Sequence, residues 1–204
     1  YKSAFPMQAK ALKNAFGQTK ETLGAAVLNN GFDATNYPIG DGLALFSTAH
    51  LIDGGTVANR PTADVDLNET SLEAAMITVQ GFLDQAGLRV MAQPRKLIIA
   101  PSNQFNAARL LRSEFRVDSA NNDINALKNM NMVPEGFRVN QFLSDTDAWF
   151  LLTNADNGFK YFQREPFETD MYTDFDNDNL KVKGIERYSF GVSNFRCVWG
   201  TAGA

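Results

Sequence analysis

Apolar residues recur at three- and four-residue intervals near the start of the chain, which is the spacing of one face of an α-helix. Pro6 suits the first turn of a helix. Asn30-Gly31 is a typical helix end, because glycine tolerates the left-handed conformation of a cap. The pattern predicts a helix of about 24 residues, or roughly 35 Å. Its buried face is predicted to carry Leu12, Phe16, Thr19, Leu23 and Val27.

The middle of the chain alternates loops with short apolar segments. Residues 31–66 are rich in turn-forming residues, and 43–46 is the only candidate strand among them. Residues 70–73 (TSLE) match a capping box and predict a second helix that ends at Gly87. A short strand is predicted at 96–100, and Ser102 is the predicted cap of a third helix. These helices are predicted to carry the apolar residues Leu72, Met76, Val79 and Leu83, then Phe105, Ala108 and Leu111.

Strand patterns dominate the last third of the chain. The candidate strands are residues 138–143, 148–152, 159–163, 167–173 and 181–199. The last one is long for a strand, since most strands have about 3 to 10 residues. Its alternation changes phase between Val192 and Phe195, which predicts a bulge or bend near residues 193–194. The chain is therefore predicted to be an α+β protein.

Composition fits a globular protein and removes several classes of site. The 204 residues are 44% hydrophobic and 21% charged, which is ordinary for a folded domain. No run of about 18 apolar residues occurs, so the sequence predicts no membrane span. Cys197 is the only cysteine, which excludes an internal disulfide and any multi-cysteine metal site.

Charge is unevenly distributed along the chain. The net charge is −4, yet residues 1–20 contain four lysines and no acid, so the remainder carries −8. The basic segment is interpreted either as a solvated helix face or as a face that contacts nucleic acid. Its lysines are Lys2, Lys10, Lys13 and Lys20.

The segment GDGLALFSTAH, residues 40–50, contains the only histidine of the chain. Ser47, Thr48 and His50 follow Asp41 closely, which raises the possibility of a serine nucleophile with a histidine base. A strand-to-helix elbow of the G-x-S-x-G type, which would expose such a serine, is missing. We therefore interpret Ser47, Thr48 and His50 as a structural corner whose polar groups satisfy the backbone of a compact loop.

Two acidic segments resemble the beginning of a calcium-binding loop, which requires Gly at its sixth position and Glu at its twelfth. The segment that begins at Asp174 has Asn179 and Ile185 at those positions, and the one that begins at Asp64 has Ala75 at the twelfth. Both are interpreted as acidic turns, so no metal site is predicted. No phosphate-binding glycine loop occurs, so no cofactor is predicted either.

Four segments in order across residues 1–200 resemble tailed-bacteriophage major capsid proteins, of the Mu-like major head subunit group. They are QAKALKNAFGQTKETLGAAVLNNGF, GDGLALFSTAH, LRVMAQPRKLIIAPSNQFNAARLL and DAWFLLTN. Members of this family have proline after the FSTAH segment, where this chain has Leu51. Members of the family begin with an N-terminal arm and an extended hairpin loop, and neither is present before Tyr1, so this sequence is expected to be a fragment or a chain from which that part was removed.

The resemblance implies an α+β phage major capsid protein fold, with a long spine helix, a split peripheral domain and an inserted axial domain. Residues 1–65 are expected to form the first part of the peripheral domain, with the spine helix and the FSTAH corner. Residues 66–153 are expected to form the axial domain. Residues 154–204 are expected to be strands that return to the peripheral domain.

The same resemblance implies a structural protein that self-assembles into an icosahedral shell around phage DNA, with no catalytic residue. Its expected partners are other copies in hexamers and pentamers, portal, scaffold or decoration proteins, and packaged DNA held without sequence preference, but no membrane. Lys10, Lys13 and Lys20 are the candidate genome-facing residues. The expected location is the virion, after assembly in the host bacterial cytoplasm. The alternatives are an encapsulin-type nanocompartment shell protein and a small Ser-His hydrolase.

Overall fold

The computed structural model describes residues 4–116, 123–177 and 179–204, with side chains from Met7 onward. This part of the chain forms four α-helices: α1 (Ala4–Asn29), α2 (Glu69–Gln80), α3 (Gln104–Arg112) and α4 (Ala126–Asn129). It also forms eight strands: β1 (His50–Ile52), β2 (Gly55–Val57), β3 (Pro94–Ile99), β4 (Phe137–Val139), β5 (Trp149–Thr153), β6 (Phe159–Thr173), β7 (Leu180–Val192) and β8 (Val198–Thr201). Single 3-10 turns lie at Pro101–Asn103 and Phe195–Cys197.

The strands form three sheets. A four-stranded sheet has the order β4-β3-β5-β8, in which β3 and β4 are parallel and the other pairs are antiparallel. Strands β6 and β7 form a long antiparallel hairpin, and β1 and β2 form a short one. The prediction of a mixed helix and sheet fold is therefore confirmed.

The hydrophobic core lies on the four-stranded sheet and is covered by α2. Strand β5 buries Trp149, Phe150 and Leu151 completely. The ring of Phe46 stacks on Phe150 with 5.2 Å between ring centroids. Burying one such large apolar side chain contributes about 1.5–3 kcal/mol, so this layer holds most of the folding free energy. From α2 the core receives Leu72, Ala75, Met76 and Val79, which confirms three of the four residues predicted for that helix.

Helix α1 packs on β7 through a face that differs from the predicted one. Phe16 packs near Gly184, Lys20 pairs with Glu186, and Gly24 lies against the ring of Phe190, so the contacts follow a four-residue spacing. Of the predicted stripe, Leu12, Phe16 and Val27 are half-buried, but Thr19 and Leu23 are exposed. Because the two-stranded hairpin is narrow, α1 contacts it along a single line of residues. Gly24 lies on this line, against the ring of Phe190.

Gly31 has a different role from the predicted left-handed cap. Its φ is not positive. A Cβ at this position would lie 2.6 Å from the ring of Phe46, so glycine is required by the close approach of that ring. Residues 43–46 are buried around Phe46 but do not form the predicted strand, and strands β1 and β2 occur instead in the same loop-rich region.

Helix α2 begins at Glu69, one residue before the predicted box. Its N-cap is Asn68, whose side chain accepts from the Ser71 amide at 2.8 Å, while the Ser71 hydroxyl accepts from the Asn68 amide at 3.0 Å. The helix ends at Gln80, well before Gly87, whose φ of +81° belongs to a later turn. On α3 the buried residues are Ala107 and Leu110, whereas Phe105 is 71% exposed, so the predicted face was wrong by one residue.

The last third of the chain confirms the predicted bend and changes the strand count. Strand β7 ends at Val192, residues 193–194 break it, and β8 resumes four residues later. The two strands predicted at 159–163 and 167–173 are one strand, β6, whose register against β7 shifts on either side of Glu165. Strand β8 joins β5, so residues from the predicted ranges 66–153 and 154–204 share one sheet. None of the described helices is long and apolar enough to cross a bilayer.

A buried polar corner as the candidate functional site

Three polar residues meet between the β1–β2 hairpin and the end of the four-stranded sheet, and we call them the polar corner: Asp41, His50 and Asn59. Asp41 lies in the turn before Gly42, whose φ is +79°. His50 is the first residue of β1, and Asn59 follows β2. His50 and Asn59 are fully buried.

Asn59 joins two distant parts of the chain. Its side-chain nitrogen lies 2.7 Å from the carbonyl oxygen of Leu45, 3.2 Å from that of Phe195 and 3.1 Å from that of Val198. Its side-chain oxygen accepts from the Ser47 amide at 2.9 Å. Carbonyl oxygens only accept hydrogen bonds, so these contacts fix the orientation of the amide. Asn59 therefore ties the loop that contains Ser47 to the segment that leads into β8.

The ring of His50 has an oxygen acceptor at each nitrogen. Nδ1 lies 2.6 Å from Asp41 Oδ2, and Nε2 lies 3.2 Å from both the Leu45 carbonyl oxygen and Asn59 Oδ1. The ring also stacks on Phe195, with 3.8 Å between centroids and 12° between planes.

Asp41 remains ionised within the corner. Burial raises the pKa of its carboxyl group, but hydrogen bonds from His50 and from the Leu43 amide, together with the charge of His50, bring the pKa below its usual value. The Leu43 amide donates to Oδ1 at 3.0 Å, while Oδ2 faces His50. The carboxylate thus anchors the turn and the histidine at once.

The geometry supports a structural role for this segment instead of serine chemistry. Ser47 Oγ accepts from the Ala49 amide at 3.2 Å and makes no hydrogen bond with His50. Both ring nitrogens of His50 already face other partners, so a base in contact with the serine is not formed. Thr48 is exposed and lacks a side-chain hydrogen bond to the described residues.

Sequence reasoning missed Asn59, which is the most connected residue of the corner. It is a single asparagine in a segment rich in turn residues, and such residues are common in loops. The only local indication of its role was the turn at Gly54, which reverses the chain so that Asn59 lies opposite Ser47. The pairing itself depends on residues 195–198, more than a hundred positions away.

The candidate genome-facing lysines separate into two groups. Lys10 and Lys13 are exposed on the first half of α1. Lys20 instead pairs with Glu186, whose side chain is almost completely buried, and its ammonium lies 5.2 Å from the ring centroid of Tyr188. The hydrogen bond that Lys20 donates to Glu186 raises the pKa of Lys20, against a smaller opposing effect of burial. Lys20 therefore takes part in the α1–β7 contact. That Lys10, Lys13 and Lys20 face a genome stays a prediction.

The remaining candidate groups have structural partners. Asp64 pairs with Arg60 at 2.6 Å, and Asp174 pairs with Lys181 at 2.5 Å, so both acidic turns are held by basic side chains. Burial raises the pKa of the Cys197 thiol to about 12. Over the ranges that the structure covers, no group of three or more His, Cys, Asp or Glu residues is arranged to hold a metal ion.

The buried core, the polar corner and the exposed hairpin are more typical of a structural protein than of an enzyme. Comparison with known families agrees with this class. Residues 3–200 match the family described as phage capsid protein, so the chain belongs to that family.

Two further comparisons were made. A solved structure described as a virus-like particle from Pyrococcus furiosus aligns with a TM-score of 0.43 and 11% sequence identity, over 70% of this chain. The chain spans 55% of the length of that protein. The search of curated proteins found no match.

Proposed function

We propose that this chain is the major head subunit of a tailed phage, of the Mu-like group, and that it assembles into an icosahedral shell around genomic DNA. The observation that carries the proposal is the family match over residues 3–200, which covers nearly the whole chain. Expected partners are the other subunits of hexamers and pentamers and the portal, scaffold and decoration proteins. The proposed location is the virion, after assembly in the bacterial cytoplasm.

We also propose the division into a split peripheral domain and an inserted axial domain. The packing of α1 on β7 supports it, because residues of the first range, 1–65, meet residues of the third, 154–204. Strands β3, β4 and β5 with α2 and α3 belong to the second range, 66–153. The shared sheet of β5 and β8 would be the junction at which the chain returns from the axial domain.

Electron microscopy of the expressed protein tests this function, followed by analysis of what the particles contain. Closed icosahedral particles that protect DNA from nuclease would support a phage head. Particles that enclose a specific protein and no DNA would favour the encapsulin-type alternative. A persistent monomer that cleaves ester substrates would overturn the proposal in favour of a hydrolase, although the geometry of Ser47 and His50 argues against that outcome.

A further inference from the structure

The far end of the β6–β7 hairpin lies beyond the region that packs on α1. We define residues 168–181 as the hairpin tip. Helix α1 contacts the hairpin at Gly184, Glu186 and Phe190, which all lie closer to its base. A two-stranded hairpin without other contacts is marginally stable in water. The tip is therefore the part of the hairpin that is open to a partner outside its own chain.

The tip combines negative charge with exposed apolar surface. By sequence it contains five acidic residues and a single lysine, which gives a net charge of −4. Asp174 is neutralised by Lys181, whereas Asp170 and Asp176 have no ion pair with the described residues. Phe175 at the turn is 98% exposed. Other large apolar side chains exposed on the tip are Met171, Tyr172 and Leu180.

The first half of α1 offers the complementary surface. Lys10 lies three residues from both Met7 and Lys13, so each adjacent pair is neighbouring on the helix and the three form a strip that winds partway round it. All three are exposed, and Met7 is 71% exposed. Neither lysine forms an ion pair with the described residues, so their charges are free to meet a second molecule.

We propose that the hairpin tip of one subunit docks on the Met7–Lys10–Lys13 strip of α1 in a second copy of the chain. This inference rests on the proposed self-assembly and specifies one of its contacts. Phe175 would pack against Met7, while Asp170 and Asp176 would meet Lys10 and Lys13. The tip and the helix face are different patches, so the contact is heterologous and can link many subunits in series.

Packaged DNA is the competing partner for these lysines. DNA would neutralise Lys10 and Lys13 but would leave the acidic tip and Phe175 uncovered, and the rest of the chain carries a net charge of −8 that repels a polyanion. A second copy covers both surfaces at once. The charges and the apolar exposure therefore favour subunit contact.

Charge reversal with rescue tests the contact. One variant carries Lys10→Glu and Lys13→Glu, a second carries Asp170→Lys and Asp176→Lys, and a third combines all four changes. Arg89→Glu and Glu73→Lys are the controls, because both residues are exposed and unpaired within the described chain. Assembled particles are measured by sedimentation, and circular dichroism checks that each variant is folded.

Each double reversal is expected to lower the assembled fraction at least about tenfold, since like charges at a contact cost several kcal/mol. The combined variant is expected to recover most of it, and the controls are expected to assemble normally. The proposed contact is wrong if the wild-type chain assembles and the double reversals assemble equally well, or if the combined variant does not recover assembly. Either result would leave the shell function intact. Normal shells that lose DNA would show that the lysines face the genome instead. Absent wild-type particles would count against the shell function itself.

A cysteine pair gives a second measurement that does not depend on charge. The variant Met7→Cys with Phe175→Cys is expected to form disulfides between subunits under oxidation, seen as a ladder of multimers on a non-reducing gel. The native Cys197 is buried and its thiol pKa is raised, so it does not compete. Each single-cysteine variant is the control, and a pair that stays monomeric in assembled particles would overturn the proposal.

Discussion

Strands β5 and β6 lie next to each other in the chain and have opposite environments. Strand β5 buries Trp149, Phe150 and Leu151 in the core, whereas β6 is exposed along most of its length and pairs only with β7. The four-stranded sheet is therefore stabilised within one subunit. The β6–β7 hairpin, by contrast, keeps much of its surface exposed. If the chain forms a shell as proposed, this difference separates the residues that set stability from those that set assembly.

The largest effect is expected in the sheet. Trp149 is fully buried, packs at a tilt against Trp199 with 4.9 Å between ring centroids, and donates its indole hydrogen to the Val65 carbonyl at 3.0 Å. Trp149→Ala is expected to destabilise the subunit by about 3–5 kcal/mol through the cavity and the lost transfer free energy. Urea unfolding measures this value, and a loss below about 1 kcal/mol would contradict the description of the core.

The polar corner is expected to follow with a smaller effect. His50→Ala removes the stack on Phe195 and the ring nitrogen that faces Asp41 Oδ2 in the buried corner. We expect a loss of about 1–3 kcal/mol and impaired particle yield. The exposed Thr48→Ala is the matched control and is expected to change stability by less than about 0.5 kcal/mol. An unchanged melting temperature with normal particle yield would show that the corner does not depend on the histidine.

The carboxyl group of Asp41 is expected to make the stability of the folded protein depend on pH. Its pKa in the folded protein lies below the ordinary value, so its stabilisation is present above about pH 3.9 and is lost as the pH falls through the folded pKa. Asp41→Asn is therefore expected to destabilise the protein at neutral pH and to have less effect at about pH 3. Denaturation curves at both values measure this difference, and an equal loss at both would contradict it.

The smallest effect on stability is expected at the hairpin tip. Phe175 is almost completely exposed, so Phe175→Ala is expected to change the free energy of unfolding by less than about 0.5 kcal/mol. The same change is expected to reduce particle yield, because it removes the apolar centre of the proposed contact. A matched loss of stability would instead mean that the tip packs within its own subunit.

Local patterns in the sequence predicted helices and strands where one side of an element is buried. Helix α1, the core side of α2, strand β3 and the break after Val192 all follow from such periodicity. The buried faces of α1 and α3 could not be predicted from periodicity, because they depend on Gly24, Phe190 and other residues brought together by tertiary packing. Likewise, the two strands predicted at 159–163 and 167–173 are one strand, which contains Pro166. A two-stranded hairpin has open edges where the missing amide of a proline costs little.

The corner was predicted only in part for the same reason. The proximity of Asp41 and Ser47 to His50 in sequence indicated a compact polar loop, and the structure contains one. The direction of each hydrogen bond, and the role of Asn59, depend on the carbonyls of Phe195 and Val198. Contacts over such sequence distances leave no local pattern. The family resemblance indicated the shell function that no single residue of the corner reveals.

Sedimentation of the purified chain over a range of concentrations tests the central claim, that this is a shell-forming subunit, most directly. The account predicts a discrete, fast-sedimenting particle in equilibrium with free subunits, and a Phe175→Ala variant that shifts the equilibrium toward subunits without a change in melting temperature. A chain that remains a monomer at every concentration and ionic strength would contradict it.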